Sequence, residues 1–341
     1  MAKVLTLRDK QGWNAYVLKA AEHDFYHTWH YHSLDTSGNP LLFIYENENG
    51  FIGLPLIKRS IPGSNYYDLT CVYGYTGPIS DKPMKLVADQ LIEEFCNAFL
   101  SFLNSGRFVS VFARLHPFYQ QQRILQKLGG LHNNGLVVVM DLSVDIQVQR
   151  ARYHDSNLQT IKQAWKRGFF VKEEKGPDAV LTFTEIYLEN MRRVGASDYY
   201  MFNKEQIAQL LNTDEYDARI FMVYDGETVM ASTIVTFTKG IIQGYLVGTR
   251  EEYRKFSPTK FLVDELCLLG KSLGMKYYNL GGGLGYKNDM LFYWKATFSD
   301  LHLPYQTWRF IADPAIYQSL LDERGIDKNT EVDFFPLYRY V

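Results

Sequence analysis

Lys295 stands inside the aromatic run "MLFYWKATF" (residues 290 to 298), a setting that holds an ammonium fixed and partly out of water. A cation so placed can stabilise negative charge developing on a reacting oxygen. The other reading is a strand lysine whose methylenes cover core while its head snorkels to solvent. Asp289, six residues earlier, could take a proton from an amine, although after Asn288 it also reads as a turn residue. The preceding "GGGLG" has no G-x-G-x-x-G continuation opening a helix, which argues against a dinucleotide fold.

A second group of candidates begins the helix "SPTKFLVDELCLLGKSLG", with Ser257 as N-cap and Pro258 in the first helical position. Arg250, Arg254, Lys255 and Lys260 surround that start and would draw a phosphate to it, with Ser257 and Thr259 beside them; a solvated charged helix start is the alternative. Tyr73 and Tyr75 in "YGYTGP" sit in a rigid turn, where their hydroxyls could bind sugar or peptide groups or their rings simply pack. Arg192 and Arg193 could bind a diphosphate bidentately. Lys162, Lys166 and Arg167 share a helix at the spacing of a basic face, and most such faces are only solvated. His23, His27, His30 and His32 cluster, but their spacing fits no zinc pattern, so no metal is expected. No Ser/His/Asp arrangement or G-x-S-x-G motif appears.

Thirty-six basic against 38 acidic residues give a net charge of −2, which excludes wholesale binding to duplex DNA. The three cysteines are far apart and fit a reducing compartment. The N-terminus lacks an apolar signal core, and no membrane span is expected, so the reading is cytoplasmic.

These residues need two α/β frameworks to position them. In the first half, a helix near 10 to 22 precedes a hairpin turning at Asn47 to Gly50, an amphipathic helix closed by Gly106, the strand "FVSVFARLHP", a short helix and turn, and the buried strand "LVVVMDLS". In the second half, "DSNLQTIKQAWKRGF", capped by Asp155 or Ser156, and "AVLTFTEIYLENMRRVG" read as helices, followed by "KEQIAQLLN". A three-strand meander turns at Asp225-Gly226 and Lys239-Gly240, then come the Ser257 helix and the strand "KYYNLGG". The order recurs without a repeat in the letters. Expected boundaries give domains 1 to 145 and 146 to 312, with a helix and tail at 313 to 341 that could pack on the first domain.

The segments "YYDLTCVYGYTGP" and "GMKYYNLGGGLGYKNDMLFYWKATFS" resemble the FemAB/FemX family of peptidyltransferases and its FemAB-like GNAT relatives. That family's late motif is apolar-Asp-Leu-Gly-Gly-Gly, a linker, then Leu-Phe-x-Phe-Lys-x-x-Phe. Lys295 and Phe298 match, whereas Asn279 replaces the common Asp and Trp294 the common Phe. "FYHTWHY" and "SPTKFLVDE" extend the resemblance over nearly the whole chain. It implies two tandem GNAT-like domains of α/β (α+β) class, each a mixed, mostly antiparallel sheet flanked by helices.

The resemblance also implies an acyltransferase that moves an aminoacyl or acyl group onto an amine of a cell-envelope precursor, either a peptidoglycan stem peptide or an amino sugar. The mechanism would be direct attack in a ternary complex. Lys295 would stabilise the transition state, and the acceptor side would comprise Tyr73, Tyr75, Trp294 and an arginine of the 192 to 193 pair. No cofactor would be tightly bound; the donor would be aminoacyl-tRNA, through its acceptor end, or acyl-CoA. Ordinary GNAT enzymes carry Q/R-x-x-G-x-G/A at the donor helix. This chain keeps Arg254 but lacks both glycines, with Ser257 and Thr259 in their places, and no coiled-coil insertion interrupts its second half. Two other functions remain open: an acyl-CoA-dependent N-acyltransferase on a nucleotide sugar or surface-polysaccharide intermediate, and a non-catalytic binding module of the same fold.

Overall fold

The computed structural model describes residues 1–340. The chain forms two compact units, residues 1–134 with 304–341 and residues 135–303. In order, its elements are strand β1 (Ala2–Thr6), helices α1 (Lys10–Lys19) and α2 (Trp29–Ser33), strands β2 (Asn39–Asn47), β3 (Gly50–Ser60), β4 (Tyr67–Thr70) and β5 (Ile79–Ser80), helix α3 (Asp89–Ser105), strand β6 (Phe108–Arg114) and helix α4 (Gln122–Leu125). Strand β7 (Leu131–Asp141) carries the chain into the second unit. There follow α5 (Ile146–Arg150), α6 (Asp155–Lys166), β8 (Phe170–Glu174), α7 (Pro177–Arg193), α8 (Lys204–Leu211), β9 (Asp217–Asp225), β10 (Thr228–Thr238), β11 (Ile241–Thr249), α9 (Pro258–Ser272), β12 (Tyr277–Gly281) and α10 (Met290–Ala296). Strand β13 (His302–Ile311) leads back to the first unit, which ends with α11 (Pro314–Glu323) and a tail. The boundaries expected near 145 and 312 fall beyond both crossings, because each crossing lies inside a strand.

In the first unit β1, β2 and β3 form an antiparallel ladder, which β3 continues to β4. The β4–β6 pair is parallel, with α3 in the crossover, and β13 adds antiparallel to β6. Phe95, Phe99 and Leu103 of α3 are buried at the spacing that puts them on one helix face. Phe43 of β2 meets Phe95 and Phe99 edge-on. The tail and α11 cover Ile61 and Val109 with Tyr317, Leu320 and Tyr338.

In the second unit β7, β12, β11, β10, β9 and β8 are neighbours in that order. All pairs are antiparallel except β11–β12, which α9 connects. Phe261, Leu262 and Leu266 of α9 join Ile242, Tyr278 and Leu280 in one core. Both units are thus mixed α/β with mostly antiparallel strands.

Several local expectations change. Strand β7 begins in the polar "LHNN" segment, read from sequence as a turn. Helix α6 is capped by His154, whose Nδ1 accepts from the Ser156 N–H at 3.2 Å, and not by Asp155 or Ser156. The aromatic run holding Lys295 is helical over Met290–Ala296, so the strand-lysine reading is withdrawn.

Candidate functional site

Strand β12 ends where two polar side chains lie inside apolar strands. Asn279 is fully buried, and its Nδ2 donates to Gln243 Oε1 across the β12–β11 pair at 2.8 Å. Its Oδ1 accepts from the Gly281 N–H at 2.9 Å, which starts the turn out of the strand. Gly281 has φ of 76°, a left-handed conformation that side chains resist. At Gly283 a Cβ would lie 2.2 Å from Asp289 Oδ1 and from the Lys287 carbonyl, so the chain passes too close for any side chain. The glycine run is therefore a tight exit from β12 that brings backbone against α10.

Asp289 is the N-cap of α10: Oδ1 accepts from the Phe292 N–H and Oδ2 from the Leu284 N–H, both at 2.9 Å. Burial works to raise the Asp289 carboxyl, but those backbone donors outweigh it and hold it below the usual carboxylate range. Lys295 lies three residues after buried Phe292 and so shares its helix face. Its Nζ donates to the Gly282 carbonyl at 2.6 Å and, among the described residues, forms no ion pair. Burial pushes the ammonium down to about 8, and the Asp289 charge opposes that shift. Trp294 meets Phe298 edge-on at 5.5 Å and packs on the core, so its ring serves the unit's interior.

Beside this turn, β11 pairs with β12 only over Ile241–Gln243 against Tyr277–Asn279, while β11 runs on to Thr249. The two parallel strands part at the Asn279–Gln243 bridge, and β11 carries a bulge against β10 in the same stretch.

The start of α9 keeps part of the expected phosphate geometry. Ser257 has φ 48° and ψ 52°, the left-handed backbone that the missing glycine would adopt. No side chain caps the helix, and Pro258 brings no N–H. Thr259 and Lys260 form the first turn, and burial lowers the Lys260 ammonium. Arg254 Nη1 pairs with Glu251 at 2.8 Å, and Arg193 Nε pairs with the same carboxylate at 3.2 Å. Arg192 is exposed in the last turn of α7. Lys255 Nζ lies 5.1 Å from the Phe256 ring centre, and the Arg167 guanidinium 4.5 Å from it.

The predicted residues thus form two groups in the second unit. Asp289, Trp294 and Lys295 share α10, while Arg193 and Arg254 share Glu251. Tyr73 and Tyr75 belong to the first unit. Tyr75 is buried edge-on against Tyr26, His116 and Tyr305, a packing role, while Tyr73 is partly buried and its carbonyl accepts from the Tyr31 hydroxyl. His27 and His32 are fully buried. Burial depresses them to about 3 and about 4, with the His116 and His23 charges adding to the fall at His27. Sequence reasoning missed Glu251 and the Asn279–Gln243 bridge. The second had a visible signal, an amide inside each of two apolar strands.

Residues 155–296 match the family model of the acetyltransferase (GNAT) domain. No curated protein matches the sequence. Among solved structures, FemX is similar over 94% of this chain and 99% of its own, with a TM-score of 0.70 and 12% identity. L-PGS from Bacillus licheniformis is similar over 93% and 97%, with a TM-score of 0.57 and 14% identity. The C-terminal domain of a putative lysylphosphatidylglycerol synthetase from Agrobacterium fabrum is similar over 93% and 96%, at 0.56 and 12%. At these identities the likeness is one of fold. The match over residues 155–296 supports an acyltransferase, and the chain as a whole has a FemX-like fold.

Proposed function

We propose that the protein transfers an acyl or aminoacyl group onto an amine of a cell-envelope precursor, with Lys295 as the group that stabilises developing charge. One observation carries the reading: a partly buried ammonium, with no carboxylate partner among the described residues, sits on the Gly282 carbonyl beside the fork of β11 and β12. The amine nitrogen attacks the donor's carbonyl carbon, a C–N bond forms, and the bond to the carrier breaks. The electron pair leaves with the carrier's sulfur or oxygen, and the amine's proton passes to solvent or to that leaving atom. Lys295, mostly cationic below about pH 8, lowers the energy of the oxygen that becomes negative. Asp289 holds α10 in place through its two backbone bonds rather than moving a proton.

Acyl-CoA is the donor in keeping with the GNAT domain, its phosphates approaching α9 beside Arg254, Lys255, Thr259 and Lys260. A second reading is aminoacyl-tRNA, since Pro258 brings no N–H to the amide cradle a pyrophosphate would use. Arg193, held by Glu251, and the exposed Arg192 beside it in sequence would serve a phosphorylated acceptor. Among the described residues no helix is long and apolar enough to cross a membrane. Transfer from labelled acyl-CoA and labelled aminoacyl-tRNA to pooled envelope precursors tests the reading. Product from either donor supports it, and no product from both contradicts it.

A further inference from the structure

A cleft of about 440 Å3 opens in the first unit between the β3–β4 hairpin and the end of α3, remote in sequence from Lys295. Its walls include Lys58, Ser60, Ser64, Asn65, Tyr67 and Arg107, and no acidic residue. Lys58 Nζ sits 3.6 Å from the Tyr67 ring centre and 5.5 Å from that of Phe108, which fixes the ammonium without neutralising it. Among the described residues neither Lys58 nor Arg107 forms an ion pair.

The surroundings deepen this imbalance. Asp68, fully buried beneath the hairpin, is shared by Arg59 at 2.8 Å and by Arg339 of the tail. Arg339 also donates to the Ser60 carbonyl at 2.8 Å, and Arg324 to the Pro62 carbonyl at 3.3 Å. Lys58 and Arg107 line the cleft itself, while Arg59 and Arg339 pair with Asp68 on the other face of the hairpin and Arg324 lies at its turn; among the described residues Asp68 is the one carboxylate that these five contact. The end of α3 offsets about half a charge more. In a chain of net charge −2, Lys58 and Arg107 leave the cleft locally positive.

Arg107 adds a second kind of evidence. It holds φ at 54°, a left-handed backbone that glycine would occupy without strain. Folding alone would be better served by glycine, yet the position carries a charge aimed at the same cleft.

We propose that this cleft binds a small molecule bearing a diphosphate. Lys58 and Arg107 take the phosphate oxygens, and the Ser60 and Ser64 hydroxyls and the Asn65 amide supply further donors. The volume lies within the range of small-molecule sites, roughly 300–1,000 Å3, and exceeds what one phosphate fills. The ligand therefore carries an organic group as well.

Calorimetric titration of the full chain with inorganic pyrophosphate, and in parallel with inorganic phosphate, at near-physiological salt tests the proposal. Arg107→Gly removes the charge while relieving the backbone, so it separates lost binding from lost folding. Pyrophosphate is expected to bind one to one and at least tenfold tighter than phosphate. Arg107→Gly and Lys58→Met should each weaken it at least tenfold, with the Arg107→Gly melting temperature unchanged or raised. No pyrophosphate binding, or binding that neither substitution alters, overturns the proposal. Acyl transfer is not measured, so the result is independent of the role assigned to Lys295.

Discussion

Replacing Lys295 by Met should leave a protein that is more stable at neutral pH and inactive. The folded protein holds the Lys295 proton less tightly than the unfolded chain, at about 8 against an ordinary 10.5. The cost of keeping that ammonium charged is therefore fully present below about pH 8 and fades as pH rises towards 10.5. Linkage across this gap gives about 3 kcal/mol at pH 7 and about 1 kcal/mol at pH 10. Losing the bond to the Gly282 carbonyl takes back about 1 kcal/mol at either pH. Met keeps the length and apolar character of the stem, so packing beside Phe292 changes little. The net expectation is a gain of roughly 2 kcal/mol at pH 7 that vanishes by pH 10. Urea denaturation of both proteins at the two pH values measures this difference. A variant that is less stable at pH 7, or a difference that does not change with pH, would refute the account of a desolvated ammonium.

Four further outcomes follow from the same geometry. Asp289→Asn keeps an N-cap acceptor and should retain activity within a few-fold, whereas Asp289→Ala should lose about 1 kcal/mol of stability; a hundredfold activity loss in Asp289→Asn would restore Asp289 as a proton acceptor. Ser257→Gly relieves a left-handed backbone and should stabilise by about 1 kcal/mol, read by thermal melting, while Ser257→Val should destabilise. Glu251→Gln frees Arg193 and Arg254 from a shared carboxylate, so coenzyme A should bind several-fold tighter by calorimetry, with stability changed by less than about 1 kcal/mol. Glu265 on α9 is pushed up to about 7 by burial and by Asp264, with Arg150 opposing. Its raised value means stability is lost as pH climbs from the ordinary carboxylate range through about 7, so Glu265→Gln should stabilise at pH 8 and have little effect at pH 4.

The meander of β9, β10 and β11 was legible because Asp225-Gly226 and Lys239-Gly240 supply turn residues, and Gly226, Lys239 and Gly240 all adopt positive φ. Helix α3 was legible through its three- and four-residue apolar spacing. Strand β13 was missed because Pro304, Gln306 and Arg309 interrupt its pattern, although alternate positions Tyr305 and Thr307 are buried by tertiary packing. The α10 helix was missed because "MLFYWKA" is short and nearly all apolar, so neither strand nor helix period shows. The capping relation of Asp289 to Phe292, three residues on, was the available signal. Lys295 could be picked out by its chemistry, but its carbonyl partner depends on how Gly281 turns the chain. The Arg193–Glu251–Arg254 group joins residues of α7 to the approach of α9, a contact made by folding alone.

The central claim is tested most directly by the rate of acyl transfer to an amine acceptor, measured for the wild-type protein and for Lys295→Met with whichever labelled donor the wild type uses. A fall of at least a hundredfold, about 3 kcal/mol of transition-state stabilisation, is predicted for the folded variant. Transfer by Lys295→Met at the wild-type rate would contradict it.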